Sequence, residues 1–114
     1  MEMQEKAGET AGNAQGTGTS FLELGLRPET LASLDRAGYT KATPIQAGVI
    51  PLALAGHDVI GQAQTGTGKT ASFLLPFLNA WSRGEDSKYA QALILVPTRE
   101  LAAQVVEEAR KILP

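Results

Sequence analysis

One segment of the chain has the residue types of a phosphate-binding loop. Lys69 supplies a compact positive charge for terminal phosphate oxygens, and the Thr70 hydroxyl suits a magnesium ion. Gly66 and Gly68 let backbone N–H groups curl around the phosphates, and Ala63 is small although glycine is usual there. Lys69 and Thr70 are therefore the candidate catalytic residues. The whole segment expected to bind a nucleotide comprises Ala63, Gln64, Thr65, Gly66, Thr67, Gly68, Lys69 and Thr70.

The sequence on either side of this loop predicts the strand and the helix that the motif requires. Val59 to Gln62 is a short strand-like stretch, and Ala71 to Leu75 suits a helix whose positive dipole end points at the anion. Pro76 lies inside that helix, and the sequence does not explain it. The alternative is a glycine-rich turn that binds nothing, but loop and flanks agree against it.

Gln46 has two possible roles. Thr43 is a good helix cap, Pro44 fits the first helical position, and Gln46 stands three residues after the cap, which predicts a capping box. A glutamine amide can also donate to and accept from the edge of adenine, which would select ATP over GTP. The local pattern does not decide between these roles. The helix is expected to reach Gly56, with a kink or an early end at Pro51.

A second candidate anion site follows an apolar run. Ala92 to Val96 predicts a central parallel strand covered on both faces. Pro97, Thr98 and Arg99 then open a last helix, whose free N–H groups, hydroxyl and guanidinium suit a nucleic-acid phosphate. The local pattern favours the simpler interpretation, in which Thr98 caps the helix and Arg99 is a solvated cation. Two strand–helix units predict a parallel sheet with helices on its faces, and both binding segments at one edge.

The first third of the chain is expected to hold a tail and one helix. Residues 1–19 are rich in small and polar residues and lack aromatics, so they are expected to be a disordered tail. A helix is predicted from about Pro28 to Ala37, ended by Gly38. Phe21 precedes it on an extended lead-in and is, by itself, more typical of a core anchor.

Composition limits the classes of function. The chain has 114 residues and no cysteine, so disulfides are excluded. Its net charge of −2 offers no overall electrostatic argument for binding nucleic acid. His57 has no second His or Cys near it, so a metal role is not expected. Apolar runs are too short to span a bilayer and no signal peptide is evident. We therefore expect a soluble cytoplasmic protein of one small domain at most, without a membrane partner.

Three separated segments together resemble the amino-terminal part of a DEAD-box ATP-dependent RNA helicase. Residues 38–46 resemble the Q motif of that family, and residues 63–70 resemble its motif I, with the alanine in the family's usual place. Residues 97–104 resemble its motif Ia. The resemblance covers residues 20–114, and the Q motif with this loop separates the family from other P-loop proteins.

The resemblance assigns roles near the adenine base. Gln46 and Thr43 would take part in adenine recognition, and Phe21, which matches the family's upstream aromatic in spacing, would pack against the base. Ala42 stands where a proline is more usual, which is expected to loosen the turn but to leave Gln46 in place.

The resemblance also implies the cofactors and the partner. Lys69 and Thr70 would hold the phosphates of ATP and Mg²⁺. The RNA backbone would be contacted by Pro97, Thr98 and Arg99.

The fold implied is α/β, a partial RecA-like P-loop domain with a parallel sheet and helices on both faces. Residues 20–114 would form an incomplete first RecA-like domain, because no Asp-Glu-Ala-Asp segment occurs and the carboxylates that position metal and water are missing. In a complete family member, ATP would close two such domains over a short RNA duplex and separate it locally. We expect this chain to bind ATP without hydrolysing it. The alternatives are a non-catalytic adenine-nucleotide binding module and a largely unfolded chain.

Overall fold

The described residues form helices packed around a common core and one short parallel pair of strands that packs against one of these helices. The computed structural model describes residues 4–7, 18–64, 66, 68–81 and 90–114. Within these ranges, no helix combines the length and the apolar character needed to cross a bilayer. The elements in chain order are β1 (Gln4–Ala7), a 3-10 helix (Phe21–Glu23), α1 (Pro28–Arg36), α2 (Pro44–Leu54), β2 (Asp58–Gly61), α3 (Lys69–Ala80) and α4 (Arg99–Ile112).

The first two helices confirm the predicted starts. Helix α1 begins at Pro28, and Gly38 follows its end with a left-handed φ of 85°. Helix α2 begins at Pro44 after the cap at Thr43. It continues through Pro51 to Leu54, so the proline does not end the helix early. Pro51 is exposed whereas Ile50 beside it is fully buried, and this packing holds the helix together past the proline.

The strands differ from the prediction in two places. Residues 4–7, expected to belong to a disordered tail, form β1, which pairs in parallel with β2 from Gln4 opposite Asp58 to Ala7 opposite Gly61. Residues 1–3 and 8–17 lie outside the described residues. An extended segment with little apolar area to bury can still be ordered by an edge strand such as β2, which offers unpaired backbone groups.

The predicted strand at Ala92 to Val96 was wrong for this structure. None of its residues lies in a strand of the described chain, and Leu93 and Leu95 are 82% and 84% exposed. A strand requires a neighbour that supplies hydrogen bonds, and apolar residues alone do not create one. Only Val96 packs against the core, and it leads the chain towards α4.

The core lies between the helices. Each of α1 to α4 contributes a side chain that is at most 1% exposed, in order Leu34, Ile50, Leu75 and Ile112. A second, smaller cluster joins α2 to β2, in which buried Ile45 and Val49 pack against Val59 and Ala63. This second cluster places the start of α2 beside the end of β2, where the predicted phosphate loop begins.

Candidate functional site

The predicted phosphate loop joins β2 to α3, as the motif requires. Gly68 is the N-cap residue of α3, and Lys69 and Thr70 are the first residues of that helix. Gly66 and Gly68 have φ values of 86° and 87°, a region that favours glycine. Thr65, like Thr67, lies outside the described residues. The positive end of α3 therefore adjoins the loop, and Lys69 is exposed there.

Gly68 also lies against the segment that contains Gln46. A Cβ atom on Gly68 would overlap the Gln46 Nε2 atom and would lie 3.0 Å from the Thr43 Oγ1 atom. By contrast, a Cβ atom on Gly66 would meet nothing within 4 Å. Gly68 is thus required both by its backbone conformation and by close packing.

The structure confirms the capping box at the start of α2. The Gln46 Oε1 atom accepts a hydrogen bond from the Thr43 N–H at 2.9 Å, and the Gln46 N–H donates to Thr43 Oγ1 at 3.4 Å. The Gln46 Nε2 atom donates to the Gly68 carbonyl at 3.3 Å. Gln46 is only 2% exposed, and both ends of its amide have protein partners. Its role in adenine recognition stays a prediction.

Phe21 lies in the core. The side chain is 3% exposed, and its ring centroid is 6.1 Å from that of Tyr39. The expected extended lead-in was wrong, because Phe21 begins a 3-10 helix. Ser20 caps this helix: its backbone N–H donates to Glu23 Oε2 at 3.1 Å, and its hydroxyl accepts from the Leu22 N–H at 3.2 Å. The Ser-x-x-Glu spacing was the sequence signal for this turn.

Ala42 lies in the turn that leads into α2, and its effect on the tightness of that turn stays a prediction. Its side chain is fully buried, and its backbone N–H donates to the Thr19 carbonyl at 2.9 Å. A proline would have no N–H for this bond. The adjacent bridge between Ser20 and Lys41 ties the same two segments together.

The second predicted site lies at the start of α4. Thr98 caps this helix, since its Oγ1 atom accepts from the Leu101 N–H at 3.1 Å, and Pro97 and Arg99 are exposed. This confirms the simpler interpretation of Thr98. Contact with a nucleic-acid phosphate uses N–H groups nearer the start of the helix and stays a prediction.

An open cleft of about 1040 Å³ connects the loop to α4. Gly66, Gly68, Lys69 and Thr70 line one side, and Leu101 is the lining residue nearest the start of α4. Pro97, Thr98 and Arg99 do not line it. The cleft therefore runs from the phosphate loop to the body of α4, and the second predicted binding segment lies outside its lining.

One contact near the site was missed by sequence reasoning. The Tyr39 hydroxyl donates a short hydrogen bond to Glu108 Oε2 on α4. Burial, and then the bond to Glu108, raise the pKa of Tyr39 well above its ordinary value, so the phenol remains a donor even in alkaline solution where a free phenol ionises. No local pattern could have found this pair, because its members are 69 positions apart.

Comparison with known proteins agrees with this geometry. Residues 43–114 match the family model described as DEAD/DEAH box helicase. A Bacillus cereus protein named DEAD-box ATP-dependent RNA helicase CshA is 54% identical over 94 residues, which are 82% of this chain and 18% of that protein. The Schizosaccharomyces pombe protein named ATP-dependent RNA helicase mak5 is 47% identical over 90% of this chain and 16% of its own length. This chain thus spans less than a fifth of these relatives.

Solved structures give the same result. The crystal structure of a DEAD box protein from Methanococcus jannaschii matches with a TM-score of 0.73 and 40% identity, over 82% of this chain and 25% of that one. The RNA helicase Prp28 from Chaetomium thermophilum, bound to ADP, matches with a TM-score of 0.69 and 47% identity, over 82% of this chain and 23% of that one. The predicted fold class, part of an α/β RecA-like domain, is confirmed. The chain belongs to the DEAD/DEAH box helicase family.

Proposed function

We propose that this chain supplies the ATP-binding and RNA-contacting part of a DEAD-box ATP-dependent RNA helicase. The observation that carries the proposal is the hydrogen bond from Gln46 Nε2 to the Gly68 carbonyl at 3.3 Å. It brings a group that can read adenine against a loop that can hold phosphates. A base and a triphosphate of one nucleotide can therefore reach the two segments together.

The phosphates of ATP would be held at the loop and the start of α3. Backbone N–H groups near Gly66 and Gly68 would surround them, and the exposed Lys69 ammonium would neutralise their terminal charge. Mg²⁺ would bind the Thr70 hydroxyl and phosphate oxygens. This fits the chemistry of the site, because Mg²⁺ is commonly held by few protein ligands together with substrate phosphates.

The base would be read by Gln46, with Thr43 holding its amide in place. A glutamine amide has two N–H donors and two acceptor lone pairs, and each end has one engaged here, so one of each is left for adenine. Gln46 is 2% exposed and Phe21 is 3% exposed, so the segment around Phe21 must move aside for the base to enter.

RNA would be contacted at the start of α4, outside the lining of the cleft. The start of α4 presents backbone N–H groups, and the exposed Arg99 can pair with a phosphate of the RNA backbone. With a net charge of −2, the chain offers this contact only locally. Cleavage of ATP requires carboxylates that position metal and water. We propose that these come from a part of the protein beyond these residues, where ATP-driven closure of two domains separates short RNA duplexes.

Calorimetry with the 114-residue chain tests the ATP site. Lys69→Ala should weaken binding of Mg·ATP by roughly 10- to 100-fold, the effect of losing a charged hydrogen bond. Lys41→Ala is the matched control, since Lys41 is an exposed lysine whose Nζ atom donates to the Gly18 carbonyl, away from the loop. Gln46→Ala should reduce the preference for ATP over GTP.

Arg99→Ala should weaken RNA binding and leave ATP binding unchanged. A cooperative melt by circular dichroism together with no ATP binding would refute the proposed ATP site. Measurable ATP turnover by the chain alone would refute the proposal that the cleaving carboxylates lie elsewhere.

A further inference from the structure

We infer that the hydrogen bond between Tyr39 and Glu108 is the positioning contact that holds the RNA-contacting end of α4 in place relative to the Phe21 side of the ATP site. This inference rests on the proposed function. It concerns neither the nucleotide loop nor the RNA-contacting residues themselves, but the pair that sets the distance between them.

Tyr39 is held by a backbone hydrogen bond and by contact with the ring of Phe21. Its backbone N–H donates to the Leu34 carbonyl at 2.9 Å, directly after the left-handed Gly38. Its ring contacts Phe21, with 6.1 Å between the centroids and an angle of 54° between the planes. The Tyr39 hydroxyl therefore emerges from a rigid part of the core at a defined position.

Helix α4 is held near its middle and at its last residue. Its buried residues are Val105 and Ile112, and the Ile112 carbonyl accepts from the Ser33 hydroxyl at 3.0 Å. The first turn, which carries Arg99 and Glu100, is exposed. The end proposed to contact RNA thus projects from its anchors.

Glu108 lies between the free end and the distal anchor. It stands ten positions after Thr98, a distance of about 15 Å along a helix. Thr98 stands 14 positions before Ile112, about 21 Å along a helix, so a tilt of about 3° about Ile112 would move the helix start by about 1 Å, enough to misplace a phosphate contact. The bond to Tyr39 resists this tilt because a phenol donates strongly to a carboxylate in a partly buried site.

A purely structural bond would behave like the polar anchors at the far end of α4, which are the bonds from Ser33 to the Ile112 carbonyl and from Arg36 to the Leu113 carbonyl. The Ser33 hydroxyl bonds the far end of the helix at Ile112 and takes no part in the ring contact between Phe21 and Tyr39. Ser33→Ala is therefore the matched control for loss of one polar tether. If the inference holds, loss of the Tyr39–Glu108 bond moves the start of α4, whereas loss of the Ser33 bond does not.

The position of α4 can be measured without any ligand. Because the chain has no cysteine, Asp35→Cys on α1 and Glu100→Cys on α4, both at exposed positions, can carry a single pair of spin labels. Tyr39→Phe should shift or broaden the distance distribution between them, and Glu108→Ala should do the same. The double variant should be no worse than either single variant. Glu108→Gln keeps an acceptor oxygen for the Tyr39 hydroxyl and should therefore retain the distance distribution of the original chain. Ser33→Ala should also leave that distribution unchanged.

The functional readout is the affinity for a short single-stranded RNA, measured by fluorescence anisotropy. Tyr39→Phe and Glu108→Ala should each weaken it about 3- to 10-fold, and Glu108→Gln and Ser33→Ala by less than twofold. An unchanged distance distribution in Tyr39→Phe would overturn the inference, as would unchanged RNA affinity despite a changed distance. If the unaltered chain binds no RNA, the proposed function fails on that assay, while the distance measurement still decides the positioning role.

Discussion

Replacing Gly68 with alanine should destabilise the fold more than the same replacement at Gly66. The two glycines have nearly the same left-handed φ, 87° and 86°. Only Gly68 packs against another segment, because its Cβ atom would overlap the Gln46 amide and come within 3.0 Å of Thr43 Oγ1. Gly66→Ala is thus a control that changes the backbone energy and little else.

The magnitudes follow from these contacts. The left-handed conformation costs each alanine about 1–2 kcal/mol. Alanine also lowers the conformational entropy of the unfolded chain, and this stabilising effect is equal in both variants. In Gly68→Ala, the Gln46 amide must also move away from the Gly68 carbonyl and from the Thr43 N–H. Losing those two hydrogen bonds costs about 1 kcal/mol each. We expect Gly68→Ala to cost about 2 kcal/mol more than Gly66→Ala.

Urea unfolding followed by circular dichroism, without nucleotide, measures this difference. The m-values of the variants should agree, so that the midpoints report stability alone. Adding Gln46→Ala to Gly68→Ala removes the overlapping side chain. Because both single variants lose the same two hydrogen bonds, the double variant should lose about 2 kcal/mol less than the sum of its parts. Equal losses in Gly66→Ala and Gly68→Ala, or strict additivity in the double variant, would refute the close packing of the loop on Gln46.

Three further predictions concern the supporting structure. Thr98→Ala removes the cap of α4 and should cost about 1 kcal/mol in urea unfolding; a loss below about 0.3 kcal/mol would show that the cap contributes little. Asn79→Ala should cost about 1–3 kcal/mol, because the Arg27 N–H and the Thr30 hydroxyl both donate to Asn79 Oδ1 in a site that is 8% exposed. The raised pKa of Tyr39 means that the folded chain favours the neutral phenol. The stability linked to this preference is fully present below pH ~10, the ordinary pKa of a phenol, and is lost as the pH rises above that value. Stability should therefore fall between pH 9 and 11 more steeply in the original chain than in Tyr39→Phe, and parallel curves would contradict the assignment.

Helix boundaries were predictable because their signals are local. Pro28 and Pro44 each open a helix, and Thr43 and Thr98 each supply a cap oxygen within three residues of the N–H that it accepts. The phosphate loop was equally readable, since its glycines are needed for backbone conformation wherever the loop lies. The Ser20 turn shows that an available local signal can be overlooked.

Strands were less predictable because a strand depends on its neighbour. Apolar content predicted a strand at Ala92 to Val96, which is exposed and unpaired within the described structure, and missed Gln4–Ala7, which pairs with Asp58–Gly61. Pairing is decided by which edge is available when the chain folds, and residue type in one segment carries no information about that. Fold class was still recovered, because the loop and the caps identify the family independently of the strands.

The two roles proposed for Gln46 show how local and distant information combine. The sequence predicted the bond to Thr43, three positions away, but the bond to Gly68, 22 positions away, required the fold. Capping and adenine recognition appeared as alternatives because each role was assumed to occupy both the donor end and the acceptor end of the amide. The structure engages one donor and one acceptor of that amide, and the remaining pair matches the donor and acceptor of adenine's edge. The capping bond therefore does not conflict with the proposed role in adenine recognition, because it occupies only part of the hydrogen-bonding capacity of the amide.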